Sequence, residues 1–194
     1  MTEQLATPLT AGLAVALLAL PAAAQQQHVG DQPEALNMRL VGYNDLQARS
    51  AYQPVIQKQG DRFILYVGHH GGTRDIPKPM NPLTGQAEFN GTSIVDVSDP
   101  TKPRYLKHIP AGEGLGEAGG AQMVRTCAGK GDPSKFYLLR VFGGLGHEIW
   151  DVTDPANPSF LTRIVMGLRD THKSWWECDT GIAYLVSGVP GWRV

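Results

Sequence analysis

The chain has 194 residues, with 23 glycines, 14 prolines and a formal net charge of −1 at pH 7. This turn-rich, charge-poor make-up suits an all-β domain of many short strands. It offers no basic stripe for nucleic acid and no charged tail for an oppositely charged partner.

Residues 1–24 read as a secretory signal peptide. Ala11 to Leu20 is an unbroken apolar run, Pro21 ends it, and Ala22-Ala23-Ala24 supplies a small-residue cleavage site. The run is short for a bilayer span, so no membrane anchor is expected after processing. The expected location is the periplasm or the outside of the cell. The stretch before the apolar run departs from the pattern, because Met1 to Leu20 contains Glu3 and no Lys or Arg. Residues 25–50 are polar and read as a linker, with a short helix expected near Pro33 to Met38 and a Leu40 to Gln47 portion that can pack on the following domain.

From residue 51 onward the sequence repeats. Apolar runs expected to be strands fall at Gln53 to Ile56 and Arg62 to Val67, before a hairpin spanning Gly91 to Pro110. They recur at Gln122 to Cys127 and Lys135 to Val141, before a second hairpin from Gly146 to Val165. A third copy begins with Ser174 to Cys178 and Ile182 to Val186. In register, Gly91 aligns with Gly146, Asp96 with Asp151, Asp99 with Asp154, Pro100 with Pro155 and Pro103 with Pro158. Asp99-Pro100 and Asp154-Pro155 suit type I turns, since Pro presets φ and the Asp side chain accepts from following amides. The second prolines bar helix and start the next extended run.

Four-stranded units repeated without helices are what a β-propeller is built from, one unit to a blade. The DV(S/T)DPxxP hairpin resembles the LVIVD-repeat family of predicted bacterial β-propellers, whose name comes from the strand that corresponds here to Ser93 to Val97. The likeness runs from Gln53 to the C-terminus and departs at Trp150, which replaces the central Val. It implies a fold and export, and brings no established catalytic residues. The expected blades are 51–110, 121–165 and 173–194, about two and a half. A ring usually needs about four to eight, so the chain reads as the N-terminal portion of a longer protein, monomeric at full length, or as a ring completed by oligomerisation.

Blade topology sorts the connections. His69 and His70, with Arg74 and Asp75, follow the second strand of the first unit; His147 and Glu148 follow that of the second; Asp170 and His172 precede the third unit. All are expected on one face, with the glycine-rich Gly112 to Gly120 loop and its Glu117. The Asp-Pro turns fall on the other face and read as structural. His69, His70, His147 and His172 could ligate a divalent transition metal such as Zn, Cu or Fe, although no HxH or HExxH spacing is present. His28 and His108 read as surface residues. Cys127 and Cys178 occupy the same place in successive first strands, and either a disulfide or two free buried thiols fits; the Cα separation decides. Trp175, Trp176 and Trp192 fit a stacking platform or, more simply, packing between units.

Gly143-Gly144-Leu145-Gly146 and Gly114-Leu115-Gly116 precede no helix, which excludes a phosphate loop. No GxSxG element is present. Three functions remain: a binding module taking a protein, glycan or small molecule on the histidine face; a periplasmic metal-dependent oxidoreductase or hydrolase with Glu148 or Asp170 as acid–base group; and a structural envelope module.

Overall fold

The computed structural model describes Gly30, Asp31 and residues 35–191. The segment read as a signal peptide, His28 and Trp192 lie outside the described residues. The chain divides into two compact units, 1–39 and 40–194. Residues 35–38 do not form the short helix expected there.

In chain order the strands are β1 (Tyr52–Gln59), β2 (Arg62–Gly68), β3 (Met80–Asn81), β4 (Gln86–Ala87), β5 (Gly91–Asp96) and β6 (Arg104–Pro110). They continue as β7 (Val124–Ala128), β8 (Phe136–Phe142), β9 (Gly146–Asp151), β10 (Ser159–Met166), β11 (Ser174–Glu177) and β12 (Ile182–Leu185). The fold is all-β and antiparallel. One sheet has the order β1-β2-β5-β6, a second β7-β8-β9-β10, and two strand pairs, β3-β4 and β11-β12, stand apart. Among the described residues the sheets do not close into a ring. The β3-β4 pair sits inside a proline-bearing segment with no periodic pattern.

Both hairpins close in the same way. Lys102 N–H donates to the Asp99 carbonyl and Asn157 N–H to that of Asp154, each at 3.0 Å. The Asp99 carboxylate accepts from the Thr101 amide (3.0 Å), and that of Asp154 from the Ala156 amide (3.1 Å). Asp96 and Asp151 take equivalent places one step earlier, accepting from the amides of Ser98 (3.0 Å) and Thr153 (2.8 Å). Burial works against the Asp96 carboxylate, but Ser98, Arg104 and Arg62 outweigh it and hold its pKa well below the usual range.

The sheets stack like with unlike. Ile64, Tyr66 and Ile94 of the first sheet pack on Leu138, Val152 and the partly buried Trp150 of the second. On its other face the first sheet is covered by the segment 41–46, which lies against Leu65 and Val95. With both faces covered, β5 is buried along its whole length. Gly42 is needed in that segment, since a Cβ would collide with the Pro100 carbonyl. The segment ends in a turn at Leu46–Ala48 whose three residues all have left-handed φ (52°, 60° and 57°), held by the Asn44 and Asp45 side chains. β1 lies beside β7, and β7 beside β11. Cys127 on β7 and Cys178 just after β11 form a disulfide, with Cα atoms 5.3 Å apart.

The outermost strands are irregular. β6 shifts register once along β5, and β10 shifts twice along β9.

Candidate functional site

Four connecting segments meet beyond the end of β2. The Gly71 amide donates to the Gly116 carbonyl (2.8 Å), the Gly143 amide to that of Gly120 (2.7 Å), and the Thr171 hydroxyl to that of Gly143 (2.8 Å). Such close backbone approach excludes side chains. Gly120 has a φ of +73°, and a Cβ there would strike the His69 carbonyl.

Glu117 rides on a single 3-10 turn, Gly116–Ala118, inside this stitched region. Its carboxylate oxygens lie 3.0 Å from His70 Nε2 and 3.0 Å from His172 Nδ1. Tyr52, at the start of β1, places its hydroxyl 3.4 Å from His172 Nε2 and its ring edge-on to His70 at 4.6 Å between centroids. The Tyr52 hydroxyl and His172 Nε2 are at hydrogen-bond distance, and Glu117 faces both histidines at ion-pair distance, although the buried His70 Nε2 has no hydrogen-bond partner among the described residues. The Glu117 side chain is 66 % exposed, so the cluster faces solvent.

The structure brings His70, Glu117 and His172 together and leaves other expected members elsewhere. His69, adjacent to His70, points the opposite way, as alternation along an extended chain requires. It is fully buried; Nδ1–H donates to the Ser50 carbonyl and Nε2 accepts from the Ser93 hydroxyl, itself 2.6 Å from the Tyr105 hydroxyl. Burial lowers its pKa to about 4, against the opposing Ser50 bond. His147 is also buried, with Nε2–H on the Val186 carbonyl (3.0 Å) and Nδ1 3.4 Å from the Ser174 hydroxyl. Burial lowers its pKa as well. Among the described residues no three His, Cys, Asp or Glu side chains are grouped so as to hold a metal ion.

Glu148 is not a member of the exposed face. It is buried at 1 % exposure, and its oxygens accept from Arg140, Trp150 and Arg163. His108 is not a surface residue but is 2 % exposed, with Nε2–H on the Phe89 carbonyl (3.0 Å). Burial lowers its pKa to about 3. Arg74, Asp75 and Asp170 are exposed, Asp170 at a left-handed φ of 52°. Trp175 is 57 % exposed, and its ring contact reaches the preceding unit, with the Arg125 guanidinium of β7 5.4 Å from its centroid.

The sequence matches no protein-family profile and no curated protein. Sequence reasoning missed Tyr52, since nothing local marks the first residue of a strand as a partner for a histidine 120 positions away. It also missed the Arg140–Glu148–Arg163 row, for which a signal existed: hairpin register sets all three opposite one another.

Proposed function

We propose that the chain belongs to an exported, non-catalytic β-propeller that binds a partner through the loop face carrying His70, Glu117 and His172. Support for the propeller comes from the repeated Asp-Pro hairpin, the adjacency of successive first strands and the resemblance to LVIVD repeats. Four-stranded antiparallel sheets stacked one face against the opposite face of the next are what blades require. Export is consistent with the disulfide, since such bonds persist in oxidising compartments.

The observation that carries the binding reading is Glu117, whose exposed carboxylate is shared by histidines from two distant connections on a rigid scaffold. Exposed polar groups on loops fixed by a framework are where recognition usually sits. The partner would be a protein, glycan or small molecule. The rival, a metal-dependent oxidoreductase or hydrolase, would need a ligand set that the described residues do not group, with the two imidazoles and Glu117 as its nearest candidates.

Elemental analysis and a glycan and protein binding screen on the full chain, expressed with export to the periplasm, separate the two. Binding that is lost in Glu117→Ala and kept in Arg74→Ala, with no stoichiometric metal, supports the binding module. Stoichiometric metal lost from a folded His172→Ala variant replaces it with the enzyme.

A further inference from the structure

A second site lies away from the histidines, in the wedge between the two four-stranded sheets. Beside the end of β6 the sheets part and leave an open cleft of about 630 Å³, within the range of small-ligand sites. Arg140 and Glu148 form its floor; Phe142, Trp150, Phe160 and Arg163 rise from it.

The floor is built and rigid. Arg140 and Glu148 lie 3.0 Å apart with side chains 1 % and 2 % exposed. Arg140 also donates to the carbonyls of Ile109 (2.8 Å) and Pro110 (2.7 Å), which fastens one sheet to the other. Trp150 Nε1–H donates to Glu148 (3.0 Å), and the Trp150 and Phe160 rings meet edge-on at 5.5 Å.

The repeat shows why the cleft is open. Arg140, Glu148 and Arg163 stand in one row across β8, β9 and β10, and the same row in the first sheet is Val67, Ser93 and His108. Trp150 and Phe160 correspond to Val95 and Tyr105. In the first sheet the chain itself roofs this row. Phe89, from the long connection between β2 and β5, accepts from His108, and the buried Arg49 donates to Asn90 (2.6 Å) beside it. The second sheet has only Gly143, Gly144 and Leu145 between β8 and β9, so no described residue fills the corresponding space.

The unfilled space is charged. Two guanidiniums meet one carboxylate, leaving a single surplus positive charge. Arg163 donates through Nε to Glu148 (3.0 Å) and stacks 4.5 Å from the Phe142 ring centroid. Its two terminal nitrogens have no hydrogen-bond partner among the described residues, and its side chain is 48 % exposed. A free guanidinium fork selects a carboxylate. The surrounding aromatic walls select a flat apolar ring. Glu148 and the Trp150 N–H are already engaged, so little remains to recognise sugar hydroxyls.

We infer that this cleft binds a small aryl carboxylate, its carboxylate on Arg163 and its ring against Trp150 and Phe160. The site shares no residue with the histidine face and stands whether or not that face binds a partner.

The test is an NMR titration of the 15N-labelled full chain with phenylacetate, phenethylamine and glucuronate, following the Trp150 indole N–H. Phenylacetate should shift that resonance saturably while phenethylamine does not. Arg163→Gln should weaken phenylacetate binding about ten- to a hundredfold, the usual range for a bond to a charged group. Phe160→Ala, a change at an exposed ring that leaves the floor intact, should weaken it about three- to tenfold and decides the matter if Arg163→Gln does not fold. No saturable shift, equal binding of acid and amine, tighter binding of glucuronate, or full affinity in a folded Arg163→Gln or Phe160→Ala chain would each overturn the assignment.

Discussion

Replacing Cys127 and Cys178 together by alanine removes the covalent tie between β7 and the β11-β12 pair. A two-stranded ribbon is marginally stable alone, so this hairpin depends on that tie and on its packing beside β7. The bond closes a loop across 51 positions, for which the chain-entropy relation gives about 14 cal/mol/K, or about 4 kcal/mol near room temperature. Urea unfolding of the oxidised chain, the double variant and the reduced parent should show that loss in both altered forms. The dependence on urea should steepen, because an unlinked unfolded chain exposes more surface. A loss under about 1 kcal/mol with an unchanged slope would refute the reasoning. It would place β11 and β12 outside the cooperative unit formed by the two larger sheets.

Glu148→Gln should destabilise the chain by about 3 to 5 kcal/mol, because it strands the buried Arg140 guanidinium, whose pKa burial already lowers to about 10. The apolar pair Arg140→Met with Glu148→Leu should recover most of that loss in the same urea assay. His69 and His108, with pKa values lowered to about 4 and about 3, stay neutral in the fold, whereas an unfolded histidine protonates near 6.5. Their contribution is therefore complete above about pH 6.5 and is lost as pH falls towards 4. Urea midpoints at several pH values should decline over that window, and less steeply in His108→Gln. Glu117→Ala should cost less than about 1 kcal/mol in thermal unfolding, as expected of an exposed ion pair, yet raise amide exchange across 112–120; unchanged exchange would show that the backbone alone holds the loop.

The strands and Asp-Pro turns were legible because their causes are local. Asp99 and Asp154 accept from amides two residues on, and β-branched alternation fixes each strand's faces. What joins the strands was less so. His69 and His70 differ by one position and end in opposite surroundings, a result alternation predicts only once the strand's end is known. Glu148 looked like a free acid because its partners lie on the neighbouring strands. His108 looked exposed because the Phe89 segment that buries it comes from the irregular connection, where no period signals structure. The β3-β4 pair was hidden among prolines for the same reason.

The register shifts of β6 and β10 bear on how the molecule behaves in a crowd. β10 carries Phe160, Leu161, Ile164 and Met166 exposed along the outer rim of its sheet, and a straight rim of that kind invites pairing with another copy. Two breaks in spacing within one strand deny an incoming chain a regular ladder to zip along. Straightening β10 by deleting an extra residue is therefore expected to turn the irregular rim into one that pairs with other copies, even if the sheet beneath it stays folded.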